Sequence, residues 1–130
     1  MASELRVNTL KDASGNNSVG MTYVAGGSAK MWVNFNGEST LAIRDDLNVT
    51  SVTDNDTGDY TINMTSAMSD ANYAALVTCS RDDTPNGIGT INGSVASPTS
   101  SALRITGRIP TTSGTVDTAF SNAAAHGDLA

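Results

Sequence analysis

The chain has 130 residues, enough for one domain, but only 15% of them are charged and 5% aromatic, so few bulky side chains are available to drive burial. A net charge of -6 and a pI near 4.3, with seven scattered cations, exclude the Lys/Arg stripe that phosphate backbones require, so nucleic acid is not an expected partner. No apolar run approaches the roughly 20 residues that span a bilayer, and Met1-Ala2-Ser3-Glu4 has neither part of a signal peptide, so no membrane is expected.

Residues 3–10 predict a short strand, with Leu5 and Val7 on one face and Arg6 on the other. Lys11–Ser18 is a turn of Asp12, Ser14, Gly15, Asn16 and Asn17. Val19–Val24 is a weak extended segment, and Gly26-Gly27-Ser28 after it leaves room for an N-terminal arm over 1–28. Ala29–Phe35 is the clearest early strand: Met31, Val33 and Phe35 alternate with Lys30, Trp32 and Asn34. Asn36-Gly37 signals a hairpin, with Thr40–Arg44 returning.

Asn48–Thr53 carries Val49 and Val52 towards a dense turn, Asp54 to Asp59, in which Gly58 supplies positive φ. Tyr60, Ile62 and Met64 then alternate with Thr61, Asn63 and Thr65. After the break Ser69-Asp70-Ala71-Asn72, a strand resumes with Tyr73, Ala75, Val77 and Cys79 on one face and Ala74, Leu76, Thr78 and Ser80 on the other. Arg81–Gly87 is a loop. Ile88–Ala96 is extended but broken by glycines, the mark of a bulge, an edge or close backbone approach. Ala102–Ile109 points Leu103, Ile105 and Ile109 inward and Arg104, Thr106 and Arg108 outward. After the Pro110–Gly114 turn, Thr115–His126 mixes helix-favouring alanines with strand-favouring Thr, Val and Phe. Short strands with turns every 8–12 residues predict an all-β antiparallel sandwich or jelly-roll-like domain over 1–130.

Candidates for chemistry are few. The sole histidine, His126, is near the end of the chain with no nucleophile elbow before it. The acids Asp45, Asp46, Asp54, Asp56, Asp59, Asp70, Asp82 and Asp83 fall in turns, so a pair held across a sugar cleft is not expected. Asp54, Asp56 and Asp59 suggest a calcium loop, but the glycine stands fifth and no distal Glu completes the set. Catalytic, metal and cofactor residues are therefore expected to be none. Cys79, the only cysteine, reads as a small buried hydrophobe and suits assembly in a reducing cytoplasm. Trp32 falls on the face opposite Met31, Val33 and Phe35, so it is either covered or presented to a partner.

The runs LRVNTLKDASGNN (Leu5–Asn17), AKMWVNFNG (Ala29–Gly37), AIRDDLNVTSVTDN (Ala42–Asn55) and TDNDTGDYTINMTSAMSDANYAALVT (Thr53–Thr78) resemble a β-rich module of tailed-bacteriophage virion proteins. Such modules are labelled tail fibre or minor structural protein, especially in phages of aquatic bacteria. The resemblance covers residues 4 to 80. RITGRIPTTSGTVDTAFSNAAAHGD (Arg104–Asp128) is similar more loosely, as a last strand pair. It also tips Thr115–His126 to strand and implies location in the virion.

A chain poor in large apolar groups can complete its core against copies of itself. An obligate homo-oligomer is therefore expected, and the resemblance implies a trimer. Trp32, Leu5, Val7 and Phe120 are the candidate contacts to copies or partners, with Leu5–Leu10 as an anchoring strand. The loops Arg81–Gly87, Pro98–Ser101 and Pro110–Gly114, with Asp82, Asp83, Asn86 and Thr112, are the candidates for the outward end. The expected role is non-enzymatic: a tail-fibre-like surface module contributing to attachment to a host glycan or protein. A stand-alone module of this size also suits a capsid decoration or cement protein, or a short head fibre, docked to other virion proteins.

Overall fold

A computed structural model describes residues 3–80, 91–110 and 114–130. Its strands are β1 (Thr9–Lys11), β2 (Ser18–Gly20), β3 (Ala29–Asn36), β4 (Ala42–Leu47), β5 (Val49–Asp56), β6 (Asp59–Met64), β7 (Ala74–Ser80), β8 (Asn92–Pro98), β9 (Ala102–Arg108) and β10 (Phe120–His126). One short helix, α1 (Met21–Gly27), lies between β2 and β3. Among the described residues, strands β1 and β2 pair only with each other. The other eight form two four-stranded antiparallel sheets, ordered β4-β3-β10-β7 and β5-β6-β9-β8. This is the antiparallel β-sandwich expected from the alternation.

The inner faces supply the core. Met31, Val33 and Phe35 of β3 and Ala123 and Ala125 of β10 meet Tyr60, Ile62 and Met64 of β6 and Leu103 and Ile105 of β9. Phe35 and Tyr60 touch edge to face across the sheets, with ring centroids 5.1 Å apart. The alanines of β10 form a strand because β3 and β7 pair with it on both sides, and tertiary pairing overrides helix propensity.

Two sheet crossings are built from specific polar groups. Between β4 and β5, Asn48 takes a left-handed φ of 60°. Its Nδ2 donates to Lys30 O and Ser66 O, each at 3.0 Å, and its Oδ1 accepts from Ser66 N at 2.7 Å. Between β6 and β7, Met68 is buried and its N–H donates to Ser100 O at 2.7 Å. Strand β8 shows each feature that its glycines signalled. It is an edge strand, has a register shift between Val95 and Ser97, and brings Gly93 so near β7 that a Cβ there would stand 2.6 Å from Val77 Cγ1.

Several boundaries differ from expectation. The predicted strand over 3–10 survives only as Thr9–Lys11, because its sole partner, β2, is three residues long. Val19–Val24 is not extended throughout. Gly20 caps a helical turn, Met21 N donates to Asn8 O, and Ser28 N closes the helix on Val24 O. Asn36-Gly37 is not a two-residue hairpin. Instead Asn36 spans a longer connection, donating from Nδ2 to Glu38 O and Thr40 O, and β4 runs on to Leu47. Strand β5 extends through Asp56, which leaves Thr57-Gly58 as the turn, with Gly58 at φ 63° as expected. The last strand starts at Phe120, and Thr115 makes only an isolated bridge to Arg108. Thr106, expected outside, is buried, and the next residue, Gly107, accepts at its O from Val116 N.

Candidate interaction surface

The two outer faces of the sandwich differ in kind. On the β5-β6-β9-β8 sheet the register aligns Thr53, Thr61, Arg104 and Ser97 in one row. Its polar groups are mutually bonded. Asn63 Nδ2 donates to Ser51 Oγ and Thr53 Oγ1, each at 3.1 Å, and Asn55 Nδ2 donates to Thr61 Oγ1 at 2.8 Å. Arg104 grips Asp59 with two donors, Nε to Oδ1 at 2.8 Å and a second bond from its terminal nitrogen to Oδ2. The Arg104 guanidinium holds the Asp59 carboxyl below the usual carboxylate range, against a smaller opposing push from burial.

On the β4-β3-β10-β7 sheet the register places Leu47, Trp32, Ala124 and Leu76 side by side across all four strands. Leu47 is 47% and Leu76 58% exposed, and Trp32 is half-buried. The neighbouring row is polar: Asp45, Asn34, Asn122 and Thr78. Asn34 donates to Asn122, Asn122 Nδ2 donates to Thr78 Oγ1 at 3.3 Å, and Arg44 reaches Asn34 Oδ1 at 3.4 Å. Trp32, Leu76 and Ala124 with these amides line an open groove of about 420 Å³. The arrangement gives an apolar stripe with an ordered polar border, a geometry suited to contact rather than to enclosing a small substrate.

The candidate contact residues are all exposed or partly exposed, but they are not brought together. Trp32 lies in the stripe. Phe120 is 39% exposed at the start of β10, with the Arg44 guanidinium 4.5 Å above its ring. Leu5, 80% exposed, and Val7 lie ahead of β1, apart from the sheet core. Every residue from 3 to 19 is exposed, and α1 buries none, leaving Tyr23 78% exposed. Asp82, Asp83, Asn86 and Thr112 lie outside the described residues. Pro98, at the end of β8, is exposed and leads into a turn closed by Thr99 N donating to Ala102 O.

The alternation had marked Trp32 as an apolar residue on a polar phase. The same signal is present at Leu76, which lies opposite Val77 and Cys79, and it went unused there. Leu47 carried no such signal, because it lies beyond the strand that the sequence suggested.

The acidic turn is engaged internally. Asp56 Oδ1 accepts from Thr57 N at 2.7 Å and Asp59 is held by Arg104, and among the described residues no three His, Cys, Asp or Glu side chains converge as a metal site would need. His126 Nδ1 lies 3.1 Å from Gly27 O, where it ties the end of α1 to β10. Cys79 is half-buried, and burial pushes its thiol pKa up. Among the described residues no helix is long and apolar enough to cross a membrane. Comparison with family models, curated proteins and solved structures gives no match for the chain.

Proposed function

We propose that this chain is a non-enzymatic structural protein of a tailed-phage virion: a tail-fibre-like surface module that forms a homo-oligomer, a trimer by its resemblance, and contributes to host attachment. The observation that carries this reading is the Leu47–Trp32–Ala124–Leu76 row, bordered by polar residues on one face of the sandwich. Apolar groups held in register on a rigid sheet are a means of joining proteins. The resemblance of residues 4 to 80 to virion modules supplies the setting. In that setting the sandwich serves as a stiff mount whose loops meet a glycan or protein of the host surface, and several copies multiply weak contacts into firm adhesion.

Gold-labelled antibody on purified virions tests the proposal. Label at the tail, in a few dozen copies or fewer, is the expected result. Hundreds of copies over the head would replace attachment with shell decoration, and unlabelled virions would remove the virion role altogether.

A further inference from the structure

We infer that copies of this chain join arm to arm, through residues 3–28, while their sandwiches stay apart. The inference rests on the homo-oligomeric part of the proposed function and names the surface at which the copies meet.

Within one subunit the arm has little to pack against. Every residue from 3 to 19 is exposed, and α1 buries none. Leu5, Val7, Leu10, Val19 and Tyr23 are five of the ten large apolar side chains exposed among the described residues, although the arm is about a fifth of the chain. Leu10 and Val19 are directly opposite in the β1–β2 register, so they stand together on one face of the ribbon. With Lys11, Asp12, Asn17 and Ser18 they line an open hollow of about 290 Å³. A two-stranded ribbon with three residues in each strand is at best marginal in water by itself. Hydrogen bonds from the arm to the sandwich fall at its last residues, where Lys30 Nζ donates to Ala25 O and Ser28 O and His126 Nδ1 meets Gly27 O.

Charge favours a second arm over a second sandwich as the surface that covers these groups. Residues 3–28 hold two acids, Glu4 and Asp12, and two cations, Arg6 and Lys11, and Arg6 Nε already meets Glu4 Oε1 at 3.0 Å. Of the thirteen acids and seven cations in the chain, eleven acids and five cations lie outside the arm, so the whole net charge of -6 belongs to the rest. Sandwiches pressed together would oppose like charges, whereas arms meet without that cost. The ribbon is also its own complement. Its outer edges are unpaired among the described residues, and another copy brings both the strand partner and the apolar groups that each ribbon lacks.

Analytical ultracentrifugation of the full chain should find an oligomer. Its association should weaken tenfold or more in the pair Leu5→Asp, Val7→Asp, and also in Leu10→Asp. These side chains are exposed in the subunit, so the sandwich still folds. Leu76→Asn, in the apolar row of the sheet, should leave association unchanged. In a Cys79→Ser background, Val7→Cys chains should cross-link to one another under mild oxidation, and Leu76→Cys chains should not. A monomer overturns the inference, and so does an oligomer weakened by Leu76→Asn but not by the arm variants, which would put the contact on the row. A monomer that is found on virions would fail this inference while sparing the virion role. An arm-joined oligomer that is absent from virions would do the reverse.

Discussion

The Tyr60 hydroxyl stands 2.8 Å from Asp117 Oδ1 and 3.1 Å from Gly37 O, so one buried phenol joins the β3–β4 connection to the segment before β10. Asp117 Oδ1 also accepts from Gly58 N at 2.7 Å, and Gly37 N donates to Thr118 O at 2.9 Å. Three chain segments far apart in sequence thus close one end of the sandwich through a single small network. Tyr60→Phe should cost about 1–3 kcal/mol in urea unfolding, because the hydroxyl is lost from a buried polar cluster.

The same phenol gives an alkaline signature. Burial, then the bond to Asp117, pushes the Tyr60 pKa far above its ordinary value near 10. Above about pH 10 the unfolded chain releases this proton and the folded chain keeps it, so stability is whole below that pH and declines as pH rises. Burial raises the Tyr73 pKa as well, in the same direction. Chemical denaturation between pH 8 and 11 should show the decline, and Tyr60→Phe should flatten it.

Gly58 combines a φ of 63° with a backbone neighbour: a Cβ there would stand 2.5 Å from both N and O of Val116. Neither atom can swing aside as a side chain would. Gly58→Ala should therefore cost more than the roughly 1–2 kcal/mol of left-handed strain alone, read as a fall in melting temperature.

Asn48→Ala removes three side-chain bonds at the β4–β5 crossing and leaves a non-glycine residue at positive φ. A loss of about 2–4 kcal/mol is expected, given roughly 1 kcal/mol per bond and a similar strain cost. Asn48→Gly relieves the strain but not the lost bonds, so its melting temperature should fall between those of the parent and Asn48→Ala.

On the polar face, the Asp59 carboxyl is held low by Arg104. Its contribution is present above the unfolded value near 4 and fades as pH falls through the folded value. The Arg104 side chain is half exposed, so solvent screens the pair and its contribution is small. Arg104→Ala should show that small loss at pH 7 in low salt, and the difference should shrink in 1 M salt and at pH 2.

The inward residues of β3, β6 and β7 could be read from alternation, because a half-buried strand repeats every two residues and a turn marks each end. Asp117 could not be read in this way, since its partners Gly58 and Tyr60 lie nearly sixty residues away with no local pattern to connect them. The helix at Met21–Gly27 was missed for a related reason: seven residues are too few to display a helical period. In the stripe, Trp32 stood out as an aromatic among polar neighbours. Its alignment with Leu47 and Leu76 depends on strand order and register, and both come from long-range pairing rather than from the residues themselves.

The Ser, Thr and Asn side chains over β5 and β6 satisfy much of their bonding capacity among themselves. A wall of this kind is well hydrated yet offers few free donors or greasy footholds to passing molecules. A surface of this kind resists sticking to other proteins and to further copies of itself.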